Sequence, residues 1–424
     1  MIATSRASRR EILAWATYDW ANSAYSAVSI TVLAIYITKV VLPGKPGELA
    51  WSYGIGLSTF VAAMLSPILG AAADARANKR FWLGLTALSG SAAAVAIGLT
   101  PTSMPWVIVG LFIVTTMCFE LSLAFYNAFL PELADDETTD MVSAIGFALG
   151  YVGGGVALLI AIVLLQFGER LGLPAGEAGT VAALRLGLLV MGCWWGLFSL
   201  PAIFTLRDRA APRAAAEPFF AVARRAVGEV ATTLRHIRAY RALALFLVAF
   251  LLYNDGVQTV ISQSTIFAQN VLKIEPGQLV LVFLFIQFAA LPGAMLVGWL
   301  SRVWGQKPTL VACIVVWISV LAAALFVTTI EQFWVMSLFV ALVMGGTQSV
   351  SRAIMSRLTP PERAAEFFGF FNFSGKATSF AGPIVFGTVL ATTGSAHIAL
   401  VSLLGFFLVG GAMVLSLDLS RGRQ

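Results

Sequence analysis

Apolar runs of about twenty residues recur twelve times along this 424-residue chain. That repetition fixes the solvent before anything else. A bilayer core of about 30 Å takes roughly 20 apolar residues per helix. Charged residues make up only 11% of the chain and the mean hydropathy is +0.87, whereas a soluble domain carries about a quarter charged. The spans expected from hydropathy are 12–38, 49–73, 81–100, 104–126, 141–166 and 183–206 in the first half. In the second half they are 242–271, 278–300, 309–329, 333–354, 367–391 and 395–418. This predicts an all-α membrane protein: an N-terminal six-helix bundle over 1–206, a basic cytoplasmic linker over 207–241 and a C-terminal six-helix bundle over 242–424.

The net charge of +6 could suggest nucleic acid, but its distribution argues otherwise. With the N-terminus inside, 21 Lys and Arg fall in cytoplasmic segments and five outside: Lys39, Lys45, Arg170, Arg185 and Lys273. The positive-inside rule therefore puts both termini in the cytoplasm. Nucleic acid is excluded as a partner; the lipid bilayer is the partner. The basic N-terminus shows no small-residue cleavage site, so the first helix is expected to be retained. Segment 217–238 of the linker reads either as an amphipathic helix on anionic lipid or as a solvated tether.

Cys118, Cys193 and Cys313 lie singly in apolar runs and read as core packing. His236 and His397 fall in loops far apart, so neither a metal site nor a cofactor motif is visible. No Walker A sequence occurs, so the chain does not itself burn ATP. Ser374 or Ser379 with Lys376 is the only nucleophile–base dyad worth naming, and neither has a further catalytic partner. The chain is expected not to be an enzyme.

The halves repeat. Asp19, Asn22, Ser23 and Ser26 in helix 1 match Asp255, Gln258, Thr259 and Ser262 in helix 7. Both sets are acid, amide, hydroxyl and hydroxyl on one helical face. Gly146-Phe147 in helix 5 matches Gly369-Phe370 in helix 11. Gly146, Gly150 and Gly154 form a stripe that lets helix backbones approach closely.

Ionisable residues inside a span default to functional candidates. They are Asp19, Glu120, Asp255 and Lys376, with Arg352 expected to snorkel from the inner end of helix 10. Two readings stay open: structural ion pairs between bundles, or acids that titrate with protons or bind an amine while Lys376 holds a carboxylate. Asn22, Tyr25, Gln258, Gln348, Asn372 and Ser374 could add neutral hydrogen bonds around a small zwitterion. Asp19, Glu120 and Asp255 are the proton-coupling candidates.

The loop after helix 2, Gly70-Ala-Ala-Ala-Asp74-Ala-Arg76-Ala-Asn78-Lys79-Arg80, resembles the major facilitator signature, with Ala77 in place of its central glycine. It marks Asp74, Arg76 and Arg80 as a conformational latch, the acid capping a helix end and pairing with a cation on a neighbouring helix. Helix 5 resembles the superfamily's antiporter motif, with Tyr151 in place of the proline. Tyr18-Asp19-Trp20-Ala21-Asn22-Ser23, Phe125-Tyr126-Asn127-Ala128-Phe129-Leu130-Pro131-Glu132, Leu252-Tyr253-Asn254-Asp255-Gly256 and Gly345-Gly346-Thr347-Gln348-Ser349-Val350-Ser351-Arg352 go further. They resemble the autophagy-related vacuolar amino-acid effluxer family, whose bacterial members are called the "unknown major facilitator" family. The resemblance implies a major facilitator fold, a monomer and, from the fungal branch, amino-acid release. A preponderance of Arg over Lys, with much Ala, fits a GC-rich bacterial source and hence an inner membrane. The expected function is secondary transport of a small polar or zwitterionic solute by alternating access. The alternatives are a permease for muropeptides, sugars or drugs, or a non-transporting sensor on the same fold.

Overall fold

The computed structural model describes residues 7–210, 219–235, 240–272, 276–376 and 381–419. Lys273, Arg213, His236, Arg238 and Ser379 lie outside them. Among the described residues there is no strand, and eleven helices are long and apolar enough to cross a membrane. They are Arg9–Val41, Lys45–Arg76, Lys79–Leu99, Pro105–Leu133, Thr139–Phe167, Gly176–Thr205, Arg241–Ser264, Leu281–Trp304, Gln306–Phe326, Ile330–Leu358 and Ala396–Leu415. The twelfth crossing, helix 11, is described over Ala364–Lys376 and Ala381–Thr393. The helices are numbered 1 to 12 in chain order below.

Local chemistry sets the helix ends. Ser8 and Glu11 form a reciprocal capping box at the start of helix 1, and Thr329 with Gln332 does the same for helix 10. Helix 2 stops at Ala77, held left-handed at φ 50°. Helix 6 begins at Gly176, well before the expected 183, because residues 176–182 are too polar to register as apolar while Glu169 Oε1 still caps the Gly176 amide at 3.2 Å. The outer half of helix 1 is wound as π-helix over Ser29–Leu33 and Tyr36–Val41.

Twelve crossings return the chain to the side where it began. The linker, both chain ends and the loops after helices 2, 4, 8 and 10 therefore share one face, here termed the linker face. Between the two bundles, helix 2 packs on helix 11 and helix 5 packs on helices 8 and 10. Among the described residues, the hydrogen bonds and ion pairs joining the bundles lie between the linker face and mid-membrane. The molecule is closed on that side.

The linker contains a helix, Phe219–Arg235. Its Val222 and Ala226 are buried against Ala71, Ala72 and Ala75 of helix 2, with Ile68 and Val230 alongside. Arg224 and Arg225 lie exposed. The expected helix is present, and Val222 and Ala226 of its apolar stripe pack on protein. Burying a valine side chain is worth about 1.5–3 kcal/mol. Val222→Asp with Ala226→Asp is therefore expected to detach this helix, and limited proteolysis between 211 and 239 should quicken at least about tenfold. An unchanged cleavage rate would mean that the helix is held by something else.

Candidate functional site

Three acids and two bases lie within the membrane helices, four of them in two pairs between the bundles. Asp19 sits ten residues into helix 1, about 15 Å along its axis. Arg352 of helix 10 reaches across the bundle interface and places Nη1 3.0 Å from Asp19 Oδ2. The same oxygen accepts the Tyr126 hydroxyl at 2.7 Å. Arg352 Nε donates to Ser143 Oγ (2.9 Å), Nη2 to the Ser143 carbonyl (2.7 Å) and Nη1 to Asn127 Oδ1 (3.3 Å). Its guanidinium lies 4.0 Å from the Phe147 ring centroid and 4.8 Å from that of Trp15. The expected snorkelling of Arg352 is thus corrected. Four of its five donors are satisfied by protein and the side chain is 3% exposed. Gly146 is what leaves room, since a Cβ there would stand 2.5 Å from Asp19 Oδ2 and 2.8 Å from Arg352 Nη2.

A second pair crosses the interface deeper in the membrane. Lys376 of helix 11 holds Glu120 Oε1 at 3.0 Å. Glu120 is buried and its Oε2 has no hydrogen-bond partner. The Lys376 side chain keeps 36% exposure. Asn372 Nδ2 donates to the Glu120 carbonyl (2.8 Å) and to Ser66 Oγ (3.3 Å), sewing helix 11 to helices 4 and 2. Nearby, Tyr25 donates to Thr116 Oγ1 (2.7 Å), which itself donates to the Phe112 carbonyl (2.8 Å). Asn22 is buried with Nδ2 unpartnered.

Asp255 behaves differently from Asp19, its counterpart in the repeat. Its Oδ2 accepts the Gly382 amide of helix 11 at 2.9 Å, within the same bundle. Gln258 is exposed, and Gln348 accepts only a long 3.5 Å bond from Tyr151. Ser374 donates to the Leu247 carbonyl, and Lys376 is engaged by Glu120, so that pair forms no nucleophile–base dyad. Cys118 and Cys313 are buried as expected, but Cys193 is exposed.

The latch acid works through backbone donors. Asp74 Oδ1 and Oδ2 accept the Ala365 (3.1 Å) and Glu366 (2.9 Å) amides, the open N–H groups at the start of helix 11. Of the expected helix-end cap and cation pair, the cap is present. Arg80 stays in its own bundle, donating to the Leu206 carbonyl at 3.3 Å. Arg76 closes the last turn of helix 2, half-buried. Gly70 permits the approach, because a Cβ there would stand 2.2 Å from the Ala365 carbonyl oxygen. Gly70→Ala is accordingly expected to prop the linker face open, and thiol labelling of a cysteine at Ala365 should rise from protected to accessible. Continued protection would show that helix 11 slides without separating.

Sequence reasoning missed three polar residues here. Lys79 is 1% exposed and binds Glu132 Oε1 at 2.5 Å. Asp208 Oδ1 caps helix 3 through the Lys79 amide (2.8 Å). Burial pushes the Asp208 carboxyl up, with Lys79 opposing. Asp140 Oδ1 accepts Gln306 Nε2 at 2.9 Å across the bundle interface. From the first bundle it supplies an acid beside the second-half loop, where Arg302 replaces the counterpart of Asp74. Beside the latch, burial works against the charge on Arg363, but Glu366 and the Tyr240 hydroxyl more than offset it and leave its pKa raised.

Six plus six helices, closed at one face by paired charges and a capped helix end, define a membrane transporter of the major facilitator class. The chain belongs to the "Vacuole effluxer Atg22 like" family, whose model matches residues 50–424. It is 34% identical over 402 residues to the uncharacterized MFS-type transporter YxiO of Bacillus subtilis (strain 168), covering 93% of this chain and 92% of that one. Autophagy-related protein 22 of Yarrowia lipolytica is 27% identical over 312 residues, 67% of this chain and 51% of that protein, so the match spans about half of the fungal relative. Among solved structures, the transporter FucP in the outward conformation superposes with a TM-score of 0.75 at 11% identity, covering 97% of this chain and all of that one. The proton:xylose symporter XylE does so with a TM-score of 0.72 at 12% identity, over 96% and 95%. At such identities the likeness is one of fold.

Proposed function

We propose that this major facilitator-type transporter moves a small zwitterionic solute, of the amino-acid class, by alternating access. One observation carries the reading: an ion pair between bundles, Lys376 with Glu120, that leaves Glu120 Oε2 unpartnered and Lys376 partly exposed. A zwitterion presents the same two charges. Its carboxylate can replace Glu120 at Lys376, and its ammonium can replace Lys376 at Glu120. The exchange removes a direct bond between the bundles, so binding loosens the closed face, which is the differential interaction that a conformational change requires. Asn22 Nδ2 and Gln258 are polar groups available to a solute.

The charge distribution supports a cytoplasmic linker face and an inner-membrane setting with both termini inside. The molecule is then closed to the cytoplasm and poised to take solute from the opposite side, or to have just released it there. The family's description as effluxers supports export. Of the three proton candidates, Asp19 and Glu120 are each neutralised by a cation on the other bundle, so protonating either would release a cross-bundle bond.

The test is counterflow in sealed proteoliposomes loaded with a mixed amino-acid pool, following labelled members with and without a proton gradient. Saturable entry above empty vesicles is expected. No entry from folded protein would overturn the amino-acid reading and send the search to muropeptides, sugars and drugs. Saturable binding without entry would instead mark a sensor.

A further inference from the structure

At the linker-face ends of helices 1, 3 and 6 the charges do not balance. Helix 6 packs against both helix 1 and helix 3. Arg80, at the start of helix 3, places Nη1 3.3 Å from the carbonyl of Leu206, the residue before Arg207. Arg209 Nη2 lies 2.9 Å from Glu11 Oε1, which brings the segment leaving helix 6 against the first turn of helix 1, where Arg9 and Arg10 stand. The acids of this edge are spent on the protein itself. Glu11 holds Arg209, Glu132 holds Lys79, and Asp208 takes the Lys79 and Arg80 amides. Arg9, Arg10, Arg80 and Arg207 are exposed and have no acidic partner among the described residues.

The surface next to these arginines is apolar. Phe81, beside Arg80, is 59% exposed, and Phe204, one turn before Arg207, is 76% exposed. Each phenylalanine heads an exposed stripe: Phe81, Leu85 and Leu88 on helix 3, and Phe204 with Leu197 on helix 6. The spacings of three, four and seven keep each stripe on one helical face. Both stripes run about 10 Å from the arginines toward mid-membrane. The two helices touch between them, where a Cβ on Gly84 would meet Ile203 at 3.4 Å. A soluble anion would match the arginines and leave the stripes unused. A partner in water could not follow the stripes into the bilayer. An amphiphile with a negative head and long apolar tails matches both. Guanidinium groups bind phosphate oxygens in pairs and hold their charge at every cellular pH, and basic clusters beside membrane helices attract anionic lipid. We propose that the edge formed by helices 1, 3 and 6 binds the phosphate head of an anionic phospholipid, with Arg80 and Arg207 as its main contacts and its acyl chains along helices 3 and 6. This goes beyond the proposed transport reading and does not depend on the solute.

The experiment is native mass spectrometry of the full chain in a neutral detergent, titrated with phosphatidylglycerol or phosphatidylcholine. Phosphatidylglycerol is expected to bind at least about tenfold more tightly than phosphatidylcholine, and millimolar inorganic phosphate should not displace it. Arg80→Gln with Arg207→Gln should weaken phosphatidylglycerol by about tenfold to thirtyfold, the worth of two basic residues at an anionic surface. Arg80→Lys with Arg207→Lys keeps both charges and should stay close to the parent. Arg241→Gln with Arg302→Gln removes two exposed arginines from the second bundle and should change nothing. Equal binding of the two lipids, displacement by inorganic phosphate, or a lysine pair as weak as the glutamine pair overturns the proposal. So does an equal loss in the second-bundle pair, which would make the attraction one of overall charge and not of this edge.

Discussion

Arg352→Ala is expected to open the linker face. The variant leaves Asp19 buried beside Tyr126 with no cation and leaves Ser143 and Asn127 without their donor. Removing one partner of a buried pair costs about 3–5 kcal/mol. The pair exists only while helices 1 and 10 are together, so the cost falls on the closed arrangement alone. An equilibrium moves from 1:99 to 99:1 with about 5.5 kcal/mol, so the shift is of the size needed to change the dominant state. Spin labels at Glu137 and Glu362, both exposed on the linker face of opposite bundles, should move apart in Arg352→Ala with the three native cysteines removed. Adding Asp19→Asn removes the orphaned charge and should restore part of the short distance. A distance distribution unchanged by Arg352→Ala would show that the capped helix 11 and Asp140–Gln306 hold the face by themselves.

Lys376→Ala should have the next largest effect, and on transport. A charge-assisted hydrogen bond is worth about 1.5–3 kcal/mol, so uptake of a free amino acid should fall by tenfold to a hundredfold. The methyl ester of the same amino acid has no carboxylate to lose and should suffer less. Glu120 is left buried and unpaired, so Lys376→Ala with Glu120→Gln serves as the control for folding. Equal loss for acid and ester would make Lys376 a structural partner of Glu120 and remove it from the solute site.

The sequence made the membrane helices legible because lipid leaves little choice: a span must be apolar for about 20 residues. It marked Asp19, Glu120, Asp255 and Lys376 for the same reason, as charges in the wrong solvent. What they bind was not legible. Arg352 lies close enough to a helix end to look interfacial, and only the packing of helix 5 against helix 1, through Gly146, puts it over Asp19. Asp74 and Asp255 take backbone amides, donors that carry no letter in a sequence. Lys79, Asp140 and Asp208 stand in polar loops or helix ends, where charge is unremarkable, and their burial comes from neighbours far along the chain. The repeat was visible, but its two acids face different partners, because repetition preserves positions on a helix and not the identity of what packs there.

The lysine within helix 11 bears on how the chain gets into the membrane. A lysine at the centre of a span adds about 2.5–3.5 kcal/mol to the cost of insertion. Helix 11 is therefore a poor passenger for the translocon on its own. Its neighbours are older by the order of synthesis: helix 2 offers Asp74 to its first amides, and helix 4 offers Glu120 to its lysine. The first bundle acts as a built-in docking template for the last part of the chain to emerge, so the charges that close the finished molecule also guide its assembly.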